Sequence, residues 1–220
     1  MTRSQAPAAR TAWVTAQRLS GWVQRFEASH GELAFDAGQQ ALRITAQDGA
    51  VAELTAPWPV DGRPGRGSDE VTRLASLSAQ SRTLFLLLIR RGGYALAVCR
   101  EGEVLNSKIG TRYVQSRTAA GGWSQQRFAR RRANQADAMI EAVAAHAAKL
   151  PSADCEYLLL GGDKAMATAL LAEPVLSAVA ALPQLAFLDV PDPKAKVLAE
   201  AARKACSVRI RVSDSAVCAP

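Results

Sequence analysis

The sequence predicts an α+β fold in which a mixed sheet carries helices on its surface. Apolar residues make up 49% of the 220 residues and charged residues 21%, which is typical of soluble globular proteins. Apolar or alternating runs typical of strands are followed by runs with helical spacing. Turns that contain glycine or proline separate these runs, so the elements can be assigned in chain order.

A small αββ module is predicted at the N-terminus, after a frayed start at 1–11. Thr15 is the expected N-cap of a helix whose apolar residues recur at i, i+3, i+4 and i+7, and Gly31 is its expected stop. Two alternating runs follow, 41–46 and 51–55. The Asp-Gly pair between them is a hairpin signal, so they predict two antiparallel strands.

The boundary after this module is predicted from composition. Residues 57–68 contain three Pro and three Gly, which is typical of a linker. The predicted organisation is a module at 1–56, a linker at 57–69 and a main domain at 70–220.

The main domain is predicted to have the element order βββαβαβαβ. Three strands joined by tight turns form a meander, and a long helix follows them. This order is similar to an RNase H-like arrangement. In chain order the elements are strands 83–90, 94–100 and 104–115, helix 125–150, strand 157–160, helix 165–180 with an interruption near Pro174, strand 186–190, helix 193–205 and strand 208–212.

Composition also excludes several classes of protein. The longest apolar run, 84–89, is far shorter than the roughly 20 residues that cross a bilayer, so no membrane span is expected. The first ten residues lack the pattern of a signal peptide, and a cytoplasmic location is expected. The four cysteines lie too far apart for the usual spacing of a tetrahedral zinc site. No cofactor and no metal are therefore expected.

The excess positive charge is concentrated in one segment. The net charge is +7, and residues 104–136 contain seven Lys or Arg and no Asp or Glu. The rest of the chain is neutral, because its basic and acidic residues are equal in number. We call residues 104–136 the acid-free segment.

Two physical points favour a nucleic-acid contact over a merely solvated basic face. Arginines from Arg127 to Arg132 fall in the opening turns of the predicted helix, where each opposes the helix dipole by roughly 0.3–1 kcal/mol. The preceding residues, 118–124, lack apolar periodicity and contain two adjacent glycines, which predicts a flexible loop. Arginines beside the free N–H groups of a helix start form an anion site, and RNA phosphate is the expected ligand.

Residues 121–132 read Gly-Gly-Trp-Ser-Gln-Gln-Arg-Phe-Ala-Arg-Arg-Arg. They resemble the catalytic loop of eukaryotic and archaeal class I translation release factors, Gly-Gly-Gln-Ser-Ala-x-Arg-Phe-x-Arg-x-Arg. Two glycines before a basic helix start that contains Arg-Phe are a specific signal. The order of meander, loop and long helix is also similar to that of the release-factor catalytic domain. The positions that agree are Gly121, Gly122, Ser124, Arg127, Phe128, Arg130 and Arg132.

One position departs from that loop. Trp123 stands where the release factors have their glutamine, and Gln125 and Gln126 follow two and three residues later. A loop with its glutamine at a shifted position resembles that of the VLRF group, the release-factor-like hydrolases of ribosome quality control. Within this group, the sequence most resembles the actinobacterial branch. The likeness covers roughly residues 15–215.

The resemblance implies a peptidyl-tRNA hydrolase that releases nascent chains from stalled large ribosomal subunits. The implied partners are the large subunit, its rRNA and peptidyl-tRNA, with no membrane. Gln125 and then Gln126 are the implied catalytic residues, with Gly121 and Gly122 in the same loop. RNA contacts are expected from Trp123, Ser124, Lys108, Arg112, Arg117, Arg127, Arg130, Arg131 and Arg132.

Two other functions stay open. The domain could cleave the tRNA near its 3′ end, or it could bind the ribosome or tRNA without catalysis, which Trp123 at the glutamine position leaves open. A metal-dependent nuclease is disfavoured because the three meander strands carry no carboxylates. A Ser-His-Asp site is disfavoured because neither His30 nor His146 is placed near the predicted loop.

Overall fold

The computed structural model describes residues 10–38, 41–111 and 124–213, with the backbone alone for 124–134. Its contacts divide the chain into two compact units. Unit 1 runs to Gln80 and resumes at Lys204, and unit 2 comprises Ser81–Arg203. This division differs from the predicted ranges 1–56, 57–69 and 70–220, because the chain returns to unit 1 after completing unit 2. That the predicted ranges fold as independent domains stays a prediction.

The structure confirms the α+β class, with one antiparallel sheet and one mixed sheet. The strands are β1 (Arg10–Val14), β2 (Leu33–Ala37), β3 (Ala41–Ala46), β4 (Val51–Thr55), β5 (Thr83–Arg90), β6 (Gly93–Arg100), β7 (Glu103–Thr111), β8 (Tyr157–Gly162) and β9 (Val208–Ser213). The helices are α1 (Ala16–His30), α2 (Glu70–Ser78), α3 (Ser124–Ala147), α4 (Lys164–Leu171), α5 (Ser177–Ala180) and α6 (Ala195–Ala205).

Unit 1 is built on the five-stranded antiparallel sheet, in the order β1-β9-β4-β3-β2. Alternation along β3 buries Leu42 and Ile44 and exposes Arg43, so one face of the sheet is apolar. Helix α1 covers this face with Leu19, Val23 and Phe26. The predicted helix and hairpin are thus confirmed.

Three features of unit 1 differ from the prediction. The predicted frayed start contains the beginning of β1, which pairs with β9 along its whole length. Strand β2 and helix α2 are additional elements. The predicted last strand of the main domain is β9, and it pairs with β1 and β4 in this sheet. Pairing between strands so far apart in sequence depends on tertiary structure that local patterns do not encode.

The hairpin turn of unit 1 is tied to the end of α1. Gly49 has φ 86°, a left-handed conformation that glycine adopts without a steric penalty. The Asp48 carboxylate accepts the Ala50 N–H at 2.9 Å and contacts Nδ1 of His30 at 2.8 Å. The Ala50 hydrogen bond, and after it the bond with His30, lowers the pKa of Asp48. One carboxylate therefore holds both the turn and the helix end.

Unit 2 is built on the mixed sheet, in the order β7-β6-β5-β8. Strands β5 and β8 are parallel and the other pairs are antiparallel, so the predicted meander is confirmed. One face of the sheet packs against α3 and α4 in a continuous apolar core. From α3 this core takes Met139, Ile140, Val143, Ala144 and Ala147. The predicted break near Pro174 is also confirmed, since a 3₁₀ turn at Pro174–Leu176 separates α4 from α5.

The predicted strand at 186–190 is wrong. The segment contacts β8 through one isolated bridge, Gly161 with Leu188, and a second bridge joins Leu158 to Gln184 just before it, so there is no continuous ladder. Proline lacks the N–H that a ladder needs, and Pro191 and Pro193 follow the segment directly. In unit 2 the order βββαβαβαβ therefore holds only through β8 and its following helix.

Acid is expected to destabilise unit 1 through Asp48 and Asp69. Asp69 caps α2, and hydrogen bonds from the Thr72 hydroxyl and then from its N–H lower its pKa. Both pKa values lie below the unfolded value of 3.8, so both carboxylates stabilise the fold above that pH and lose this effect as pH falls through their folded values. The double variant Asp48→Asn/Asp69→Asn should have a lower Tm near neutral pH and a flatter Tm profile below about pH 4.

Thermal melts followed by circular dichroism across that pH range measure this effect. Asp36→Asn, which removes an exposed carboxylate on β2, is the control for a change in net charge. A double variant with the wild-type acid slope would contradict the assignment.

Candidate functional site

The predicted site lies between β7 and α3 in the chain. Strand β7 is an edge strand of its sheet, and its residues from Leu105 to Ile109 are exposed. Lys108 pairs with Leu96 of β6, whose side chain lies in the core beneath α3. Since directly opposed residues share a face of the sheet, the exposed Lys108 lies on the face that α3 covers.

The remaining predicted residues divide into two sets. Ser124 is the first residue of α3. The helix backbone includes Gln125, Gln126, Arg127, Arg130, Arg131 and Arg132, whose side chains the structure does not describe. The residues that lie outside the described part of the chain are Arg112, Arg117, Gly121, Gly122 and Trp123. The roles of both sets stay predictions.

The described side chains of α3 that enter the core lie in its C-terminal half. Among the side chains that the structure describes, those of α3 that enter the core begin at Met139, which is fully buried. At the usual helical rise, Ser124 lies roughly 22 Å along the axis from Met139. The described backbone also has no acidic residue in its first turn to offset the arginines. The basic opening turns therefore lie well away from Met139 and the core residues that follow it.

A second group in unit 2 was not singled out by the sequence. Tyr94, at the start of β6, is 7% exposed, and its ring stacks on His146 of α3 with centroids 5.9 Å apart. The same ring lies against Gly110 of β7. An isolated glycine in a strand is a signal for close backbone approach, but the sequence does not say which ring approaches it.

Arg82 is the other residue that sequence reasoning missed. It directly precedes β5, is fully buried, and pairs with Glu156 at 3.0 Å. Its guanidinium also lies 5.8 Å from the centre of the Tyr157 ring. Because Glu156 and Tyr157 mark the start of β8, this contact joins the starts of two parallel strands, a structural role. Nothing in the local pattern distinguishes this arginine from a surface residue.

Other chemistries find little support in the described residues. Within the described ranges, no group of three or more His, Cys, Asp or Glu could hold a metal ion. Among the same residues, no helix has the length and apolar character needed to cross a bilayer. Gly161 and Gly162 are the last residues of β8, and Asp163 is the N-cap of α4. The Asp163 side chain accepts the N–H groups of Ala165 and Met166, which a phosphate would otherwise bind.

Comparison with known protein families gives a match. The sequence model of a protein family described as Actinobacteria/chloroflexi VLRF1 release factor matches residues 82–211. The matched range is more than half of the chain, and it includes β7, α3 and the whole acid-free segment. No curated protein matches the chain.

Cys155 is expected to be inert at neutral pH. It is buried, and this burial, with a smaller effect of Asp154, raises its pKa from 9.0 to about 11. Its thiolate population should be about 100-fold smaller than in the unfolded chain. Alkylation with iodoacetamide, followed by peptide mass spectrometry, should show Cys155 reacting about 100-fold more slowly in the folded protein than in denaturant. Equal rates in the two conditions would contradict the assignment.

Proposed function

Because the chain belongs to the Actinobacteria/chloroflexi VLRF1 release factor family, we propose that it hydrolyses the ester between a nascent peptide and tRNA. The family makes it a release factor that works with the ribosome. The substrate that we propose is peptidyl-tRNA on a stalled large ribosomal subunit. The observation that carries the proposal is the Gly-Gly pair at 121–122, which lies one residue before α3 inside the acid-free segment.

The chemistry of ester hydrolysis fits a glutamine in this place. The reaction needs a positioned water and a donor for the developing oxyanion. A glutamine amide can accept a hydrogen bond from water and donate one to an oxygen without changing its protonation state. One well-placed oxyanion donor is worth about 2.7–4 kcal/mol of transition-state stabilisation. We assign this role to Gln125 first and to Gln126 second.

The glycines and the surroundings supply the rest of the proposed mechanism. Gly121 and Gly122 would let backbone N–H groups approach the substrate closely, because they carry no Cβ. The rRNA and the tRNA ribose would supply the other polar groups of the reaction, so the protein needs no general base. The chain can therefore be catalytic although it has only two histidines, the usual general bases of hydrolases.

The acid-free segment supports delivery of this loop to a site walled by RNA. Lys108 is exposed at one end of the segment, on β7, and the arginines of α3 follow the glycines. Arginines at a helix start oppose its dipole in isolation, but they and the helix N–H groups together attract phosphate. We propose that Lys108, Arg112 and Arg117 contact RNA backbone and that Trp123 stacks on a base or ribose.

Trp123 favours a second candidate function. It occupies the position at which the release-factor loop has its glutamine. A chain with this change could occupy the ribosomal site without hydrolysing the ester. Binding to the large subunit without release of the nascent chain would favour this non-catalytic function.

The catalytic proposal predicts a specific loss in glutamine variants. Gln125→Ala should slow single-turnover release of a nascent chain from a purified stalled large subunit by about 100- to 1,000-fold, since it removes an oxyanion donor. Gln126→Ala should have the smaller effect. The assay follows the peptide by gel electrophoresis and by mass spectrometry.

The same assay separates the alternatives. Gln135→Ala, further along α3, is the matched control and should release at the wild-type rate. A free carboxyl end on the peptide supports ester hydrolysis, whereas attached nucleotides indicate cleavage of the tRNA. If both loop variants release as fast as wild type, the glutamine assignment is wrong.

The electrostatic proposal predicts a change in salt dependence. The triple variant Arg130→Gln/Arg131→Gln/Arg132→Gln should bind the large subunit more weakly, because three phosphate contacts are lost. The slope of log K against log salt concentration should become shallower by about 2–3. Sedimentation binding assays at several salt concentrations measure this slope.

The matched control neutralises three exposed arginines of unit 1, Arg18, Arg25 and Arg43. It removes the same net charge outside the acid-free segment, and its slope should stay close to that of the wild type. Equal changes in the two triple variants would show that net charge alone matters and would contradict the local interface.

A further inference from the structure

The ring of Tyr94 contacts both elements that flank the proposed release loop. Tyr94 belongs to neither of them, because it lies on the neighbouring strand β6. On one side its ring is stacked on His146 of α3, with 18° between the ring planes. On the other side it lies against Gly110, its partner in the register of β6 and β7. We call this arrangement the Tyr94 contact.

At β7, the Tyr94 contact depends on residue 110 being a glycine, which has no side chain. A Cβ at this position would lie 2.5 Å from Cζ and from the hydroxyl oxygen of Tyr94, closer than real Cβ atoms come. The glycine is therefore required for space. The ring occupies the volume where a side chain of residue 110 would stand, so it lies directly on the backbone of β7.

The other described residues of β7 contribute nothing to the apolar core that contains α3. No residue of β7 belongs to the described apolar core that includes Met139 and Val143 of α3. Asn106 and Lys108, which share the face of Gly110, are exposed. Among the described contacts on this face, β7 is joined to β6 by backbone hydrogen bonds and to α3 through the ring of Tyr94.

We propose that Tyr94 is a positioning residue that couples the placement of β7 to that of α3. Residues 112–123 run between the ends of these two elements, so the geometry of their attachment points affects where a loop in this range can reach. A displacement of about 1 Å at a reacting group can cost about 100-fold in rate. The effect on release rests on the proposed function, whereas the coupling between strand and helix does not.

Hydrogen exchange tests the coupling without any assay of activity. In His146→Leu, which changes α3, amides of β7 in peptides covering 104–111 should exchange about tenfold faster than in wild type. In Gly110→Ala, which changes β7, amides of 139–147 in α3 should respond in the same way. The matched control is Leu170→Ala, which opens a cavity in the same core from α4. At comparable loss of Tm, this control should leave exchange in β7 unchanged.

Release kinetics then test the consequence. Tyr94→Leu and Gly110→Ala should reduce the single-turnover release rate by about 10- to 100-fold while changing the Kd for the large subunit less than about twofold. Tyr94→Phe keeps the ring and should stay within about threefold of the wild-type rate. Leu170→Ala should release normally once its lower Tm is taken into account.

Three outcomes overturn the inference. If exchange in β7 follows Tm alone in every variant, Tyr94 is only a core residue. If Tyr94→Phe slows release as much as Tyr94→Leu, the hydroxyl rather than the ring carries the effect. If Leu170→Ala slows release as much as Gly110→Ala at equal Tm, positioning is not specific to the contact. A wild-type protein that does not release at all refutes the proposed function instead, and the exchange measurements still decide the coupling.

Discussion

The burial of β5 is the constraint on which unit 2 depends. Seven successive residues of this strand, from Thr83 to Ile89, are buried, so both of its faces must be covered and both of its edges paired. Burial of a Leu, Ile or Phe side chain contributes about 1.5–3 kcal/mol each relative to exposure, and β5 has six of them. Strands β6 and β8 pair with its two edges, and α3 packs over one face. With the centre fixed in this way, β7 is left at the edge, where polar and basic residues are tolerated.

This arrangement explains how one helix can be both structural and basic. The C-terminal part of α3 supplies Met139, Val143 and Ala147 to the core, whereas its basic residues are concentrated in the opening turns. Those turns can carry residues that destabilise an isolated helix, such as arginines at the positive end of the dipole. In the proposed function, RNA phosphate compensates for this repulsion on the ribosome. The separation of anchor and charge along one helix allows both properties to coexist.

The sequence predicted the local features of the fold and missed the distant ones. The hairpin at Asp48-Gly49, the meander and the break at Pro174 follow from turn residues and periodicity within short windows. The partner of β9 could not be read locally, because it lies about 150 residues away in the chain. For the site, the motif and the concentrated charge were visible in the sequence. The ring that explains Gly110 was not, since Tyr94 and His146 are brought together only by tertiary packing.

The position of β9 inside the sheet of unit 1 has a consequence for how the chain folds during its own synthesis. Strand β9 lies between β1 and β4, and β1 has no other partner among the described strands. Synthesis therefore delivers all of unit 2 before the sheet of unit 1 can close. Until then β1 is unpaired and one edge of β4 is open, which is the kind of edge that nascent chains expose to aggregation and chaperones. Unit 2, whose strands are contiguous in the chain, can fold first and complete its core while its own ribosome is still translating the last strand.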